Sequence, residues 1–438
     1  MNSRCSIDRF GLSRARLGMT LLVSFGSLLS ACARDPSPTT VVPALVPRHS
    51  TRVPVYSVAQ LSAPAQVNSS CPDLTRDVRG RAHLSWLERR QGGSTAFLTA
   101  EFEGLAWTAP ELIAHGEDWF VNWADFPTLA CGTEDARLAT WLVKNGTSTY
   151  AYQVQFGCSA RDGIPWSEPA TLHSDTSATE HGFVSLAART ANGFAAVWLD
   201  GRHTEAPQDA HAGHASVGVM SLYTACVDVN GTRSGEQELD PRVCDCCQTS
   251  CAILDDGTLV VAYRDRGDDE TRDIAVVSGR PGEEFSVPRS VHADGWVIAG
   301  CPVNGPVIAA GASGVAVTWF TLGANAQPCV LVALSTDRGT TFGTPVRVDD
   351  GAPEGRVDCT FLKDGTLLVT WLEHVGEDAE WRARALDNDL AAGDAFTLAR
   401  VSSKRASGFL RLVAYGDGAI VAWTDTESER VNCAGIRP

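Results

Sequence analysis

The chain has 438 residues, of which 44% are hydrophobic and 20% are charged, so it can bury a large core. Its 40 glycines and 21 prolines suit a turn-rich β protein better than a helical one. A net charge of −16 without any basic stripe argues against a nucleic-acid partner.

The first 50 residues are predicted to be a targeting segment and a tether. A basic stretch up to Arg16 precedes the apolar run MTLLVSFGSLLSA, which is too short to span a bilayer. The run ends in LSAC, which resembles the lipobox of bacterial lipoproteins and implies cleavage before Cys32 and acylation of that cysteine. We predict a signal peptide over 1–31 and a lipidated, Pro-rich tether over 32–50. An ordinary secretory cleavage site is the alternative.

The predicted lipidation of Cys32 determines where we expect the protein to be located. The lipid chains on Cys32 would be its only contact with a membrane and would give stable anchoring. No Asp follows Cys32, which by the same resemblance favours the outer membrane. We therefore expect the globular part, over 51–438, to be held at the bacterial cell envelope.

From residue 51 onward, a short apolar strand ending in an aromatic residue recurs every 52 to 65 residues. These aromatic residues are Trp86, Trp141, Trp198, Tyr263, Trp319, Trp371 and Trp423. Each repeat holds four strand-like pieces and no convincing helix, which predicts an all-β propeller of four-stranded blades. Seven blades are favoured and six are the alternative. The segment PVYSVAQLSAP near residue 54 is expected to close the ring as a strand of the last blade.

The turn between the third and fourth strands carries a second repeated pattern. Residues 335–342 fit S-x-D-x-G-x-x-[WF], and degenerate copies keep the spacing around Gly104, Gly163 and Gly282. The pattern resembles the Asp-box, or BNR repeat, of the sialidase superfamily, a hairpin turn that needs a capping Asp and a Gly with positive φ. The segments CDCCQTS, YRDR and GCPVNGP also resemble an uncharacterised bacterial branch of sialidase-like lipoproteins over residues 70–430. These resemblances imply the fold and bring no activity.

Loops of such a ring sort onto two faces. Connections from a fourth strand to the next first strand (4→1) and from a second to a third strand (2→3) open on one face, which we call the loop face. The 1→2 turns and the Asp-boxes open on the other. Polar and aromatic residues concentrate on the loop face, as a glycan or other polar ligand requires. The candidate ligand-binding residues are Trp119, Trp123, Asp125, Glu180, His181 and Trp296.

Carboxylates and guanidinium groups on this face are candidates for glycoside hydrolysis, which needs two nearby carboxyl groups. The candidate catalytic residues are Asp200, Asp265, Arg202, Arg264 and Arg266. The sialidase resemblance implies an Arg cluster, an acid/base Asp and a Tyr nucleophile. However, the family's N-terminal R-I-P element is missing, and Tyr263 occupies an aromatic core position. Inter-blade salt bridges and ligand binding without catalysis remain alternatives, so whether the chain is an enzyme stays open.

Outside Cys5 and Cys32, twelve cysteines remain, and disulfides are the default expectation in an oxidising envelope. The candidate pairs are Cys131 with Cys158, and Cys433 with Cys359 or Cys71.

Four further cysteines lie on two adjacent 4→1 connections, namely Cys244, Cys246, Cys247 and Cys301. Two disulfides are expected there, although four converging thiolates would hold Zn or Cu(I), and a redox-active thiol pair is a third alternative. No other cofactor is expected. A scaffold or metal-handling protein centred on this cluster is the second functional class. His211 and His214 are expected on a surface loop.

Overall fold

A computed structural model describes residues 46–161, 163–189, 193–205 and 217–438. The predicted signal peptide, Cys32, most of the tether, His211 and His214 lie outside this part of the chain. Within the described residues, no helix has both the length and the hydropathy needed to cross a bilayer.

The described residues form seven four-stranded antiparallel sheets, so the favoured prediction of seven blades is confirmed. The first strand of each blade lies beside the first strand of the next, which arranges the blades in a ring. In order from first to fourth strand, blades 1 to 3 are Ser69–Arg76, Ala82–Arg89, Thr95–Phe102, Glu111–Gly116; Thr128–Cys131, Arg137–Lys144, Tyr152–Ser159, Ala170–Thr171; and His181–Arg189, Gly193–Asp200, Met220–Asp228, Arg233–Val243.

Blades 4 to 7, in the same order, are Ser250–Ile253, Leu259–Arg264, Ile274–Gly279, Arg289–Ser290; Val307–Gly311, Gly314–Thr321, Cys329–Ser335, Val346–Arg347; Pro353–Phe361, Leu367–Val375, Asp378–Leu386, Phe396–Val401; and Arg411–Tyr415, Gly418–Asp425, Arg430–Arg437, Ser57–Leu61. A short ribbon pairs Thr204–Glu205 with Val217–Gly218, and 3-10 turns span Thr133–Asp135 and Arg405–Ser407.

The ring is closed by the first described strand, as the sequence predicts. Ser57–Leu61 pairs antiparallel with Arg430–Arg437, and Ser57 lies opposite Arg437. The pairing covers the edge of the third strand of blade 7, so its backbone groups find partners.

The second strands are buried along their length because each blade is sandwiched between two neighbours. All seven repeated aromatic residues are at most 3% exposed. Two of the indole N–H groups donate to the carboxylate two residues further on, from Trp198 to Asp200 and from Trp371 to Glu373. The Tyr263 hydroxyl donates to Asp240 at 2.6 Å and is buried. Tyr263 is therefore a core residue, as its place in the repeat predicts.

The Asp-box at residues 335–342 has the predicted turn geometry. The Asp337 carboxylate accepts hydrogen bonds from the backbone N–H and the hydroxyl of Thr341, and Gly339 has φ +80°. These bonds, led by the one from the Thr341 hydroxyl, lower the pKa of Asp337 to about 2. Phe342 packs against the core between blades 4 and 5. The box is thus a structural device of the turn.

The expected disulfides are not formed: the twelve cysteines of the described part are free thiols. Cys131 lies on the first strand of blade 2 and Cys158 on the third, so the second strand separates them. Two strand spacings amount to about 9.5 Å, which exceeds the reach of a disulfide. The Cys71 thiol donates instead to the carbonyl of Asn122, and the Cys359 thiol to that of Val307.

Candidate functional site

A cavity of about 390 Å³ opens on the loop face. Its walls come from five 4→1 connections, around residues 120–125, 178–180, 245–246, 301–303 and 405, and from 2→3 segments around 148–150 and 204. The cavity therefore opens on the face that the sorting of loops by strand order selects. Its volume falls within the range of small-molecule sites.

Two predicted residues, Asp125 and Glu180, both contact Tyr152 in this cavity. Tyr152 is not among the residues predicted from the sequence. The Tyr152 hydroxyl lies 2.8 Å from Oδ2 of Asp125 and 2.6 Å from Oε1 of Glu180. These two carboxylate oxygens are therefore no more than about 5.4 Å apart. Asp125 and Tyr152 are buried, and Glu180 is half-buried.

The protonation of this group is set mainly by burial. Burial raises the pKa of Asp125 to about 7, although hydrogen bonds from the Phe183 N–H and the Tyr152 hydroxyl oppose the shift. Burial also raises the pKa of Glu180 to about 8, opposed by the bond from Tyr152 and assisted by the nearby Asp125. Burial and both carboxylates raise the pKa of Tyr152. Burial therefore makes both carboxyl groups easier to protonate than exposed ones.

A backbone irregularity in blade 3 positions Asp125. The register of the first strand shifts between Gly182 and Ser185, and Phe183 has φ +53°, which is rare for a residue with a side chain. This bulge turns the Phe183 N–H toward Oδ1 of Asp125, at 2.7 Å. The same bulge recurs in blades 1 and 6, where the N–H groups of Cys71 and Arg356 donate to Thr424 and Asn304, so it is a repeated structural feature of the ring.

Aromatic rings and one cation complete the cavity wall. Phe120 stacks on Tyr152 with ring centres 4.1 Å apart, and Trp123 stacks on Phe409 at 6.0 Å. Arg405 lines the cavity and is exposed. Among the described residues, none pairs with its guanidinium group. The wall therefore offers flat apolar surfaces and one positive charge available to a ligand.

His181, Asp200 and Arg202 do not line this cavity. Asp200 is fully buried and accepts bonds from the indole of Trp198 and from Arg202 at 2.8 Å each. Despite burial, the Arg202 and His181 bonds hold the pKa of Asp200 far below its usual range. His181 Nε2 lies 3.0 Å from Asp175 and 3.5 Å from Asp200, and these carboxylates raise its pKa against the effect of burial. The group braces blade 3.

The candidate residues of blade 4 are also bonded within the protein. Arg264 is 1% exposed and donates to the carbonyl oxygens of Asn304, Arg272 and Phe320. Its guanidinium lies 4.8 Å from the Trp296 ring centre, and Trp296 is buried.

Three more candidates, Arg266, Asp265 and Trp119, also lie outside the cavity lining. Arg266 forms ion pairs with Asp245 and Glu270. Burial and the nearby Asp240 raise the pKa of Asp265 to about 6, but Asp265 does not line the cavity. Trp119 stacks on Trp141, 5.6 Å away, outside the cavity lining.

Three of the four cysteines predicted to converge do so, and the two disulfides expected there are absent. The Sγ atoms of Cys244, Cys246 and Cys247 all lie within 4.8 Å of one another, and those of Cys244 and Cys247 are 2.8 Å apart. Cys246 and Cys301 both line the cavity. Thiolates at these distances fit a soft metal ion such as Cu(I) or Zn.

Tyr152 could have been found from the sequence by the rule that located the cavity. It is the first residue of a third strand, directly after a 2→3 loop, so the sorting of faces places it on the loop face. Tyr152 is uncharged and lies outside the repeated aromatic positions of the second strands, so neither of the patterns used to select candidates includes it.

Comparisons with known proteins concern the fold. No family model and no curated protein sequence matches the chain. A protein of unknown function from Dyadobacter fermentans is similar at a TM-score of 0.50 with 12% identity, over 88% of this chain and 100% of that one. The Hadza microbial sialidase Hz136 gives 0.47 with 12% identity, over 90% of this chain and 97% of that one. A Trypanosoma rangeli sialidase gives 0.45 with 10% identity, over 88% and 59%. The similarity is one of fold.

Proposed function

We propose that the loop-face cavity binds the end of a glycan and that Asp125 and Glu180 act on it as an acid/base pair. The observation that carries this proposal is the Tyr152 hydroxyl, which is within hydrogen-bond distance of both carboxyl groups. A hydroxyl has a single proton and donates one hydrogen bond. Both short contacts are satisfied when one carboxyl is neutral and donates its own proton to the tyrosine oxygen.

This arrangement holds one acid and one base in the same cavity near neutral pH. The raised pKa values of about 7 for Asp125 and about 8 for Glu180 agree with one shared proton. A neutral carboxyl can protonate the oxygen of a leaving sugar, while its charged neighbour withdraws the proton of Tyr152 as the tyrosine oxygen approaches the sugar carbon.

The cavity wall favours an uncharged sugar over a carboxylated one. Sugar rings present C–H faces that stack on aromatic side chains, and Phe120, Trp123 and Tyr150 supply such surfaces. A sugar carboxylate calls for a cluster of arginines, whereas Arg405 is the arginine that lines this cavity among the described residues. Arg202, Arg264 and Arg266 are bonded to protein groups elsewhere. We therefore propose a neutral, hydroxyl-rich glycan as the ligand.

A glycan array followed by calorimetry tests this proposal. The chain beginning at Val46 should bind neutral oligosaccharides, and aryl-glycosides should report turnover near pH 6–8. Tyr152→Phe should weaken binding and abolish turnover, while Tyr415→Phe, which alters a ring on another blade, should leave both unchanged. Turnover by Tyr152→Phe at the wild-type rate, or the lack of any bound glycan, would refute the proposal. Binding without turnover would restrict it to recognition.

We also propose that the propeller works at the bacterial outer membrane, anchored by lipid on Cys32. The support is the LSAC segment behind a basic and apolar leader. Labelling cells with a palmitate analogue should tag the wild-type chain and leave Cys32→Ser untagged. In cell fractionation, the wild-type chain should be found with the membranes and the Cys32→Ser variant in the soluble fraction. An untagged wild-type chain would show that the leader is an ordinary secretory signal.

A further inference from the structure

The CDCC segment between blades 3 and 4 gathers three sulfur atoms that the glycan proposal does not use. The Sγ atoms of Cys244, Cys246 and Cys247 all lie within 4.8 Å of one another. Cys244 and Cys247 are buried, at 1% and 2% exposure, and Cys246 is half-buried at the cavity wall. Three thiols this close form a ready-made set of soft ligands.

One buried guanidinium group contacts these sulfurs. The Arg272 Nη1 atom lies 3.3 Å from Sγ of Cys244, and Arg272 is only 2% exposed. Its Nε atom is buried and has no hydrogen-bond partner among the described residues. Arg272 also pairs with Glu270 at 2.8 Å, so the Cys244 sulfur is the second group that this buried guanidinium contacts. A buried guanidinium group stabilises negative charge on a sulfur atom beside it.

We propose that Cys244, Cys246 and Cys247 bind a single Cu(I) ion as three thiolate ligands. A three-coordinate metal with bonds of about 2.3 Å places its sulfurs about 4 Å apart. The three sulfurs already lie within 4.8 Å, and the pair Cys244–Cys247 must widen from 2.8 Å. The Cys301 thiol lies within hydrogen-bond reach of Cys246 but falls outside the group of three sulfurs within 4.8 Å of one another. Structural zinc is almost always four-coordinate, so a set of three thiolates favours Cu(I).

The site has an entry path and a defined proton balance. Cys246 lines the loop-face cavity, so an ion can reach the sulfurs from that side. Each thiol that becomes a ligand releases its proton to solvent, and the metal keeps its oxidation state. The ion would sit in the wall of the cavity without replacing Asp125, Tyr152 or Glu180.

Copper titration of the reduced protein tests the site. The chain beginning at Val46 is titrated anaerobically with Cu(I) in the presence of a colorimetric Cu(I) chelator, and X-ray absorption counts the sulfur ligands. One equivalent should be retained, bound by three sulfurs at about 2.3 Å. Cys244→Ser and Cys247→Ser should each lose it. Cys329→Ser, which removes a half-buried thiol of blade 5, should retain it.

Thermal unfolding of each variant shows whether loss of copper reflects loss of the fold. A folded wild-type protein that retains no copper overturns the proposal, and so does equal loss in Cys329→Ser. Retention of zinc by four sulfurs, abolished by Cys301→Ser, would overturn the three-coordinate assignment. The readout is the bound metal, so the result is independent of the glycan proposal.

Discussion

Gly182 packs against the carboxyl group of Asp125 so closely that a Cβ atom at this glycine would overlap with Oδ2 of Asp125 and approach the Tyr152 ring. The glycine therefore fixes where both side chains lie. Gly182→Ala should displace Asp125 from Tyr152 and weaken glycan binding at least about tenfold, as calorimetry would measure. Gly343→Ala is the matched control, because a Cβ there makes ordinary contact. Equal affinity in the two variants would mean that the ligand does not use Asp125.

The raised pKa values predict how stability depends on pH. Asp125 and Glu180 have ordinary values of 3.8 and 4.5 and folded values of about 7 and about 8. Their neutral forms stabilise the fold fully below about pH 4, and this contribution is lost progressively up to pH 7 to 8, where the folded groups also ionise. Between its ordinary and its folded pKa, each carboxyl group can reduce the free energy of unfolding by up to about 1.4 kcal/mol per pH unit.

Substitution should remove this pH dependence. Asp125→Asn and Glu180→Gln cannot ionise, so their melting temperatures should fall less between pH 4 and pH 8 than that of the wild type. The exposed carboxylate of Asp378 serves as the control, since Asp378→Asn should follow the wild-type curve. Parallel curves for wild type and Asp125→Asn would show that the buried carboxyl keeps an ordinary pKa.

Two tyrosines should respond differently to loss of the hydroxyl. Tyr263 donates to the buried Asp240, so Tyr263→Phe should cost about 1–3 kcal/mol of stability and leave ligand binding intact. Tyr152→Phe removes the hydroxyl shared by two carboxyl groups and should impair binding and turnover instead. Chemical denaturation and calorimetry on both variants separate the effects. Loss of binding in Tyr263→Phe alone would place the site in blade 4.

Removal of the closing strand should expose the edge of blade 7. A chain beginning at Ser62 lacks Ser57–Leu61 and leaves the backbone of Arg430–Arg437 without its partner. We expect a lower melting temperature and oligomers in size-exclusion chromatography, because free strand edges pair between molecules. The chain beginning at Val46 should remain monomeric under the same conditions. A monomeric, equally stable shortened chain would show that the strand adds little.

The sequence predicted the blades, the closing strand, the Asp-box turn and the face that carries the cavity, since each depends on local spacing. It also placed Asp125, Glu180 and Trp123 at that cavity. The sequence does not show which polar residues are available to a ligand and which are already bonded within the protein. Arg264 and Asp200 look equally suited to a ligand in the sequence, yet their partners are carbonyl groups, an indole and an arginine.

The cysteine pairing failed for a related reason. Cys131 and Cys158 belong to one blade, but strand order puts a whole strand between them. Such distances follow from the three-dimensional register and are absent from spacing along the chain.

The pairing of Ser57 with Arg437 links positions 380 residues apart, so the last blade is completed by the first described strand of the chain. Each of the other six blades is contiguous in sequence and can assemble as it is synthesised. The seventh blade can form only after residue 437 has been synthesised, and until then strand 57–61 has no pairing partner. Ser57 and Arg437 lie opposite each other on neighbouring strands, so the chain before Ser57 and the chain after Arg437 leave the ring at the same outer rim.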